Sequence, residues 1–301
     1  MATKHVLLTL ASLAVGAWAV ASNAQSNVHL YIYDTHTGVV TQASPAMDFE
    51  PYNASFSNNG KKLVHDLVIQ GGPPQTLGVT DLTTGKMTPL GLEGDNAVWS
   101  PNGKLIAYYN YFTVWPPELN VVPAAGGTPV TVRQWATDPS WSNNSRRLAF
   151  ADLFNGYVGT VGLDGTETKF DFDTLGSDQG YGCNPAYSPD GKLIVYQRYE
   201  CYYLGWAGPL MIIPVNEQGQ ALGAPYPITS GAYFAQHPSF SNDGKTIVFS
   251  GNAGSDPTEW GLYTVSVYGG DPVVLFDRPG KGEYDPAYSK NGRYIVFSGQ
   301  E

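Results

Sequence analysis

The sequence predicts an all-β protein, and three observations lead to that prediction. Glycine and proline are abundant, with 35 and 22 residues in a chain of 301, as expected where tight turns join many short strands. Between these turn residues the apolar side chains alternate or form short runs, which is typical of strands. No segment beyond residue 24 keeps the i, i+3, i+4 spacing of an amphipathic helix.

The first 24 residues carry the features of a secretion signal. Lys4 precedes an apolar run over residues 6–20, and small residues that suit a signal peptidase end at Ala24. The run is shorter than the roughly 20 residues of a membrane span. We predict a signal peptide at 1–24, a mature domain at 25–301 and a secreted or periplasmic location, with an uncleaved signal anchor as the alternative. No cysteine lies near the cleavage point and no later segment is apolar enough to cross a membrane, so we expect neither a lipid anchor nor a membrane span.

A short motif recurs six times and determines the predicted architecture. Each copy has a polar residue, an aromatic residue, a serine and then a turn, as in Asn184-Pro185-Ala186-Tyr187-Ser188-Pro189-Asp190-Gly191. The spacing of the copies is about the period of a propeller blade. The central serines of the six copies are Ser57, Ser100, Ser142, Ser188, Ser241 and Ser289.

Each copy predicts a β-hairpin, because its Asn-Gly or Asp-Gly pair accepts the positive φ of a tight turn and an apolar strand follows. A second hairpin lies between successive copies. Residues 28–42 form such a hairpin with no copy before it, and residues 285–299 form a copy with no hairpin after it. The two ends therefore complete one blade, and we predict a six-bladed β-propeller with four-stranded antiparallel blades. Ser145 replaces the turn glycine of the third copy, which predicts either a different turn there or a small strain.

The repeat resembles that of a known family. An aromatic residue followed by Ser-Pro-Asp-Gly-Lys, as from Tyr187 to Lys192, is similar to the WD40-like (PD40) repeat of TolB-like propellers. The resemblance covers nearly the whole predicted mature chain. It implies the fold but no single function, because such propellers occur in translocation proteins, peptidase accessory domains and polysaccharide lyases.

The strand order also assigns the loops to faces. The start of each innermost strand and the end of its partner strand lie at the same end of the blade, which we call the top face. The loops of this face are rich in aromatic residues, and loops held by a rigid scaffold commonly carry function. The aromatic residues predicted to bind a ligand there are Trp115, Trp135, Tyr181, Tyr202, Trp206, Tyr233 and Trp260.

The first residue of each motif copy is predicted to belong to a ring around the mouth of the central tunnel. One interpretation is that these residue types suit a turn and bond to nearby backbone groups. The other is that they bind a polar ligand or a divalent cation such as calcium, with Asp138 and Asp285 as its carboxylate ligands. The ring consists of Asn53, Asn96, Asp138, Asn184, His237 and Asp285.

The two cysteines belong to one predicted blade. Cys183 precedes the innermost strand of the fourth blade and Cys201 follows its partner strand, so both lie at the top face. In an oxidising compartment this arrangement predicts a disulfide, with a catalytic or metal-binding thiol as the alternative. The sequence contains no nucleophile elbow, no His-Glu-x-x-His and no phosphate-binding loop, which leaves His237 as a weak candidate for a catalytic base.

Two classes of function remain. We expect a non-enzymatic, monomeric binding module that holds a glycan or a protein ligand, because aromatic faces beside amides and carboxylates suit sugar rings and peptides. The alternatives are a polysaccharide lyase that resembles oligogalacturonate lyases, with His237 or a tyrosine as the base, and a protein scaffold in the cell envelope. The His-rich metal cluster of that lyase family is not matched. The formal charge of -10 would repel phosphates, so we expect no nucleic-acid partner.

Overall fold

A computed structural model describes residues 28–44, 49–68, 75–111, 114–170, 182–198, 208–230, 234–252 and 260–301. The predicted signal peptide lies outside these residues. The described part of the chain contains strands and no helix, and therefore none that could span a membrane.

The strands are short, as the density of turn residues predicts. In chain order they are β1 (Val28–Asp34), β2 (Val40–Gln42), β3 (Glu50–Phe56), β4 (Lys62–Val68), β5 (Thr76–Asp81), β6 (Met87–Glu93), β7 (Asp95–Trp99), β8 (Leu105–Asn110), β9 (Glu118–Pro123), β10 (Val130–Gln134), β11 (Ala136–Trp141), β12 (Arg147–Asp152), β13 (Val158–Gly162), β14 (Glu167–Lys169), β15 (Gly182–Tyr187), β16 (Leu193–Arg198), β17 (Leu210–Pro214), β18 (Tyr226–Pro227), β19 (Phe234–Phe240), β20 (Thr246–Asn252), β21 (Gly261–Ser266), β22 (Val273–Phe276), β23 (Glu283–Tyr288) and β24 (Tyr294–Gln300).

Within the described residues these strands form six four-stranded antiparallel sheets, and each sheet is one blade. Blades one to five take the strands in order from β3–β6 to β19–β22, and blade six has the order β23, β24, β1, β2. The first strand of each blade is innermost, and successive innermost strands contact one another around the whole ring, including β23 with β3. The predicted six-bladed β-propeller is therefore confirmed.

The two ends of the chain close the ring in blade six. Every residue of β1 pairs with β24, and β2 adds outside β1. Across the same seam, Arg293 Nη2 lies 3.0 Å from Asp34 Oδ2. The predicted closure between residues 28–42 and 285–299 is confirmed.

The repeated serine explains the regularity of the motif. Ser57 Oγ donates to Asn59 Oδ1 at 3.0 Å and accepts from the Lys62 N–H at 3.0 Å, while the Gly60 N–H donates to the Ser57 carbonyl. The turn therefore satisfies its own polar groups. The same hydrogen bonds recur in every blade. The equivalent serines are Ser100, Ser142, Ser188, Ser241 and Ser289.

Ser145 occupies the position that is glycine in the other five motif copies. Its φ is +60°, against +69° for Gly60 and +73° for Gly191, so the turn is the same in all blades. Of the two possibilities predicted for this position, a different turn or a small strain, the second is correct, because a side chain is held in the left-handed region. A compensating contact exists, since Ser145 Oγ accepts a hydrogen bond of 3.0 Å from the Asn102 N–H of blade two.

The core lies between neighbouring blades, where Phe150, Phe249 and Phe297 are fully buried. Serines of the innermost strands add polar links between blades one and two, three and four, and five and six. Each Oγ accepts from a backbone N–H of the next blade, in the pairs Ser55 with Trp99, Ser140 with Tyr187 and Ser239 with Tyr288. The equivalent positions of blades two, four and six are Val98, Ala186 and Ala287.

His65 is a buried structural residue. Its Nε2 lies 2.9 Å from Thr80 Oγ1 and its Nδ1 lies 3.1 Å from the Asp66 carbonyl. Burial lowers the pKa of His65 to about 4, although the contact with the Asp66 carbonyl opposes this shift. The position is aromatic in the other blades, and the neutral imidazole fills the same space.

Candidate functional site

The tunnel mouth is formed by six equivalent β-bulges. In blade one, Asn53 and Ala54 lie opposite the single residue His65, because the register shifts between Tyr52 and Ser55. The first bulge residue has a positive φ of +47° to +56° in every blade. Asparagine, aspartate and histidine are the side chains that accept this conformation most readily. The six residues are Asn53, Asn96, Asp138, Asn184, His237 and Asp285, so the predicted ring exists and a backbone requirement accounts for its residue types.

Hydrogen bonds connect the ring through blades one to three. Asn53 Nδ2 lies 2.7 Å from Asp66 Oδ2 and 3.2 Å from Asp95 Oδ1, so one amide bridges two carboxylates. The Asn96 N–H donates to Asp66 Oδ2 at 3.1 Å, and Asn96 Nδ2 donates to Asp138 Oδ1 at 3.2 Å. The side-chain amides of Asn53 and Asn96 thus donate within the protein.

The ring continues through an ion pair on its other side. His237 Nδ1 lies 2.6 Å from Asp285 Oδ1, and the His237 side chain is 29% exposed. Burial opposes a charged imidazole, but the carboxylates of Asp285, Asp138 and Asp95 outweigh it and raise the pKa of His237. Burial raises the pKa of Asp138, because it disfavours the charged carboxylate. The ring thus favours the protonated form of His237, whose Nδ1 is occupied by the contact with Asp285.

The sequence reasoning missed two carboxylates of this network. Asp66 is fully buried on the second strand of blade one, and Asp95 is buried directly before the ring residue of blade two. Burial and the neighbouring Asp95 raise the pKa of Asp66 well above its usual range. An aspartate among the apolar residues of a central strand is the signal that identifies Asp66, because a carboxyl group needs a hydrogen-bonding partner when the strand is buried.

The predicted calcium site receives no support from the geometry. Among the described residues, no three His, Cys, Asp or Glu side chains lie close enough together to hold a metal ion. Asp138 and Asp285 both belong to the ring, where Asp138 accepts from Asn96 and Asp285 pairs with His237.

A partly exposed aromatic cluster lies on the top face between blades two and three. It consists of Tyr111, Trp115, Trp135 and Phe154, which come from three loops at the top ends of β8, β10 and β12. The ring centroids of Trp115 and Trp135 are 5.0 Å apart, as are those of Trp135 and Phe154. Trp115 is 61% exposed and Phe154 is 55% exposed. Large aromatic side chains are rarely left this open unless they contact a partner.

The backbone of Trp135 is strained and held in place from three sides. Its φ is +60°, which is unusual for a bulky residue. Its N–H donates to the Pro117 carbonyl at 2.7 Å, and its carbonyl accepts from the Leu153 N–H and from Arg133 Nη1. Strain that the surrounding hydrogen bonds maintain is a feature of binding sites.

The other predicted aromatic residues are placed differently. Trp260 is 5% exposed and packs between Phe234 and Tyr284, so it contributes to the core of the top face. Tyr181, Tyr202, Trp206 and Tyr233 lie outside the described residues. Cys183 is half-buried at the start of β15, and Cys201 lies outside the described residues, so the disulfide stays a prediction.

Two arginines near the top face are engaged in ion pairs. Arg133 Nη2 lies 2.6 Å from Asp152 Oδ2 and 3.1 Å from Glu167 Oε1. Arg278 Nε lies 2.7 Å from Glu283 Oε1. Both ion pairs join neighbouring blades, because Arg133 belongs to blade two and its partners to blade three, and Arg278 follows blade five whereas Glu283 begins blade six.

Comparison with known proteins supports the fold. Residues 209–300 match the family described as the dipeptidyl peptidase IV (DPP IV) N-terminal region, whereas no curated protein matches the sequence. A protein described as a candidate TolB from Agrobacterium tumefaciens is 20% identical with a TM-score of 0.73, covering 92% of this chain and 99% of its own. TolB from Acinetobacter baumannii is 14% identical with a TM-score of 0.60, covering 92% of this chain and 64% of its own.

An enzyme is also among the structures with this fold. Oligogalacturonate lyase from Vibrio parahaemolyticus is 15% identical with a TM-score of 0.55, covering 89% of this chain and 78% of its own. At these identities the likeness concerns the fold, and proteins of this fold differ in function.

Proposed function

We propose that this chain, which has the fold of the TolB-like six-bladed propellers, is a non-enzymatic binding module for a glycan or a protein ligand. The ligand would contact the top face. The observation that carries the proposal is the exposed aromatic cluster, in which Trp115 is 61% exposed and Trp135 has a strained backbone.

The composition of the cluster favours binding over catalysis. Tryptophan and tyrosine are enriched among the residues that dominate binding energy, since they offer a large contact area at a low entropic cost. Backbone hydrogen bonds connect the described parts of the three loops, since the Trp135 N–H donates to the Pro117 carbonyl and the Leu153 N–H donates to the Trp135 carbonyl. A surface that is already ordered loses little entropy when a ligand binds.

The lyase alternative has less support from the residues present. A lyase requires a base near a neutral pKa and a cation that stabilises an enolate. His237 is committed to Asp285, while Arg133 and Arg278 are paired with carboxylates. These three side chains thus already have partners within the protein.

A secreted or periplasmic location and a monomeric state are part of the proposal. The location rests on the predicted signal peptide at 1–24. An envelope protein is then the expected class of protein ligand, and a polysaccharide of the cell surface the expected class of glycan.

One experiment separates binding from catalysis, and a glycan ligand from a protein ligand. The mature protein is incubated with an array of uronate-containing and neutral glycans, and in parallel with envelope proteins, while absorbance reports any unsaturated product. Binding that Trp115→Ala weakens at least tenfold, without product, is the expected result. The matched control is Tyr268→Ala, which removes an aromatic residue that is 87% exposed in the hairpin turn between β21 and β22, on the opposite face. Formation of product, or equal binding by both variants, would contradict the proposal.

A further inference from the structure

The tryptophans of the aromatic cluster form a corner. The planes of Trp115 and Trp135 meet at 83°, and Tyr111 stands at 75° to Trp115 with a centroid distance of 6.1 Å. An edge-to-face pair presents ring faces in two perpendicular directions, so one ligand group can contact both. We call Trp115 and Trp135 the tryptophan corner.

Elsewhere in the protein, aromatic faces are covered by the chain's own cations. The Arg133 guanidinium lies 4.2 Å from the Phe150 centroid, and that of Arg278 lies 4.8 Å from the Tyr31 centroid. Arg293 and Lys169 cover Tyr294 and Tyr157 in the same way. Within the described residues no cation covers the tryptophan corner, although indole is the strongest aromatic acceptor for a cation.

A carboxylate without a cationic partner adjoins the corner. Glu118 Oε1 lies 3.5 Å from Gln134 Nε2, and Gln134 directly precedes Trp135. In the part of the chain that the structure describes, Glu118 makes no ion pair. The neighbouring Arg133 is already bound to Asp152 and Glu167. Because Arg133 is bound to these two other carboxylates, the charge of Glu118 has no cationic partner within the described residues.

We propose that the tryptophan corner and Glu118 bind the guanidinium group of an arginine in a partner protein. A guanidinium is planar and weakly hydrated, so it stacks on an indole and at the same time donates to a carboxylate. A neutral sugar could also contact the ring faces and donate to Glu118, but only a cation neutralises the charge of that carboxylate. The inference rests on the proposed function, since it names the ligand group that the aromatic cluster recognises.

The test uses a pair of blocked tripeptides, acetyl-Gly-Arg-Gly-amide and its citrulline analogue. Citrulline has the shape of arginine without the charge. We expect the arginine peptide to bind at least fivefold more tightly, by calorimetry and by quenching of tryptophan fluorescence. Trp115→Ala should abolish this preference and Glu118→Gln should reduce it at least threefold. Glu217→Gln is the matched control, because it removes one exposed carboxylate after β17 on the opposite face and should change the affinity less than twofold.

Three outcomes would overturn the inference: equal binding of the two peptides, equal binding by Glu118→Gln and Glu217→Gln, or no binding of the arginine peptide. A neutral oligosaccharide whose binding depends on Trp115 but not on Glu118 would also overturn it, and would leave the proposed function intact with a glycan as the ligand. Loss of the arginine preference is thus distinguishable from loss of binding at the top face.

Discussion

The imidazole of His237 lies 2.6 Å from the carboxylate of Asp285, and this pair joins blades five and six at the tunnel mouth. The His237 pKa is raised, because nearby carboxylates outweigh the opposing effect of burial. A raised pKa in the folded state means that the pair stabilises fully below the ordinary histidine value, and that this contribution is lost as pH rises through the higher folded value.

We therefore expect the proton NMR titration of His237 to give a pKa above 6.5 and the Asp285→Asn variant to lower it. Asparagine is the suitable substitution because position 285 has a φ of +56°, which asparagine accepts. An unchanged His237 titration in the variant would show that Asp285 does not determine the shift.

Two tryptophans of the predicted site should behave in opposite ways when replaced by alanine. Trp260 is 5% exposed between Phe234 and Tyr284, so Trp260→Ala should lower the free energy of unfolding by about 3–5 kcal/mol. Trp115 is 61% exposed, and Trp115→Ala should change the free energy of unfolding by no more than about 0.5 kcal/mol. Urea denaturation of both variants checks the difference. A large loss of stability in Trp115→Ala would mean that the aromatic cluster is a structural element.

The fold was predictable because each blade repeats the same hydrogen-bonded turn. The Ser57 turn satisfies its polar groups with residues five positions apart or fewer, so the motif is visible in the sequence. The closure of blade six was predictable by counting hairpins. The left-handed conformation of the ring residues was not predicted, since asparagine and aspartate before a strand suit several backbone conformations.

The site was less predictable for a physical reason. Trp115 and Trp260 have the same residue type and both lie in top-face loops, yet one is exposed and the other buried. Whether such a tryptophan is exposed or buried depends on the packing of neighbouring blades, and this packing cannot be predicted from the local sequence. Asp66 was missed because its partners, Asn53 and Asn96, come from two different blades.

The serine links between blades give a further prediction. Ser140 Oγ accepts from the Tyr187 N–H at 3.0 Å, and Ser140→Ala leaves that backbone donor without its partner. We expect the free energy of unfolding to fall by about 1–3 kcal/mol. Ser266→Ala is the control, because Ser266 Oγ accepts from the Tyr268 N–H in an exposed turn. Equal stability of the two variants would argue against a role for the link.

The predicted disulfide can be measured directly. Cys183 and Cys201 should give no reaction with a thiol reagent in denaturant until a reductant is added. Reduction should cost about 3 kcal/mol of stability, which is typical of a loop of roughly this length. Two reactive thiols in the oxidised, purified protein would contradict the pairing.

Glu283 should make stability depend on pH. The side chain is fully buried at the start of β23, and burial raises its pKa to about 7 although Arg278 opposes the shift. Because the folded state holds this proton more tightly than the unfolded chain does, the contribution is fully present below about pH 4.5 and is lost as pH rises through 7. The loss should be on the order of 3 kcal/mol. Urea denaturation between pH 5 and pH 8 checks this prediction. The Glu283→Gln variant mimics the protonated acid and should lose less stability over this range than the native protein. The exposed Glu93→Gln variant should follow the native pH dependence, and a parallel decline in all three proteins would rule out Glu283 as the source.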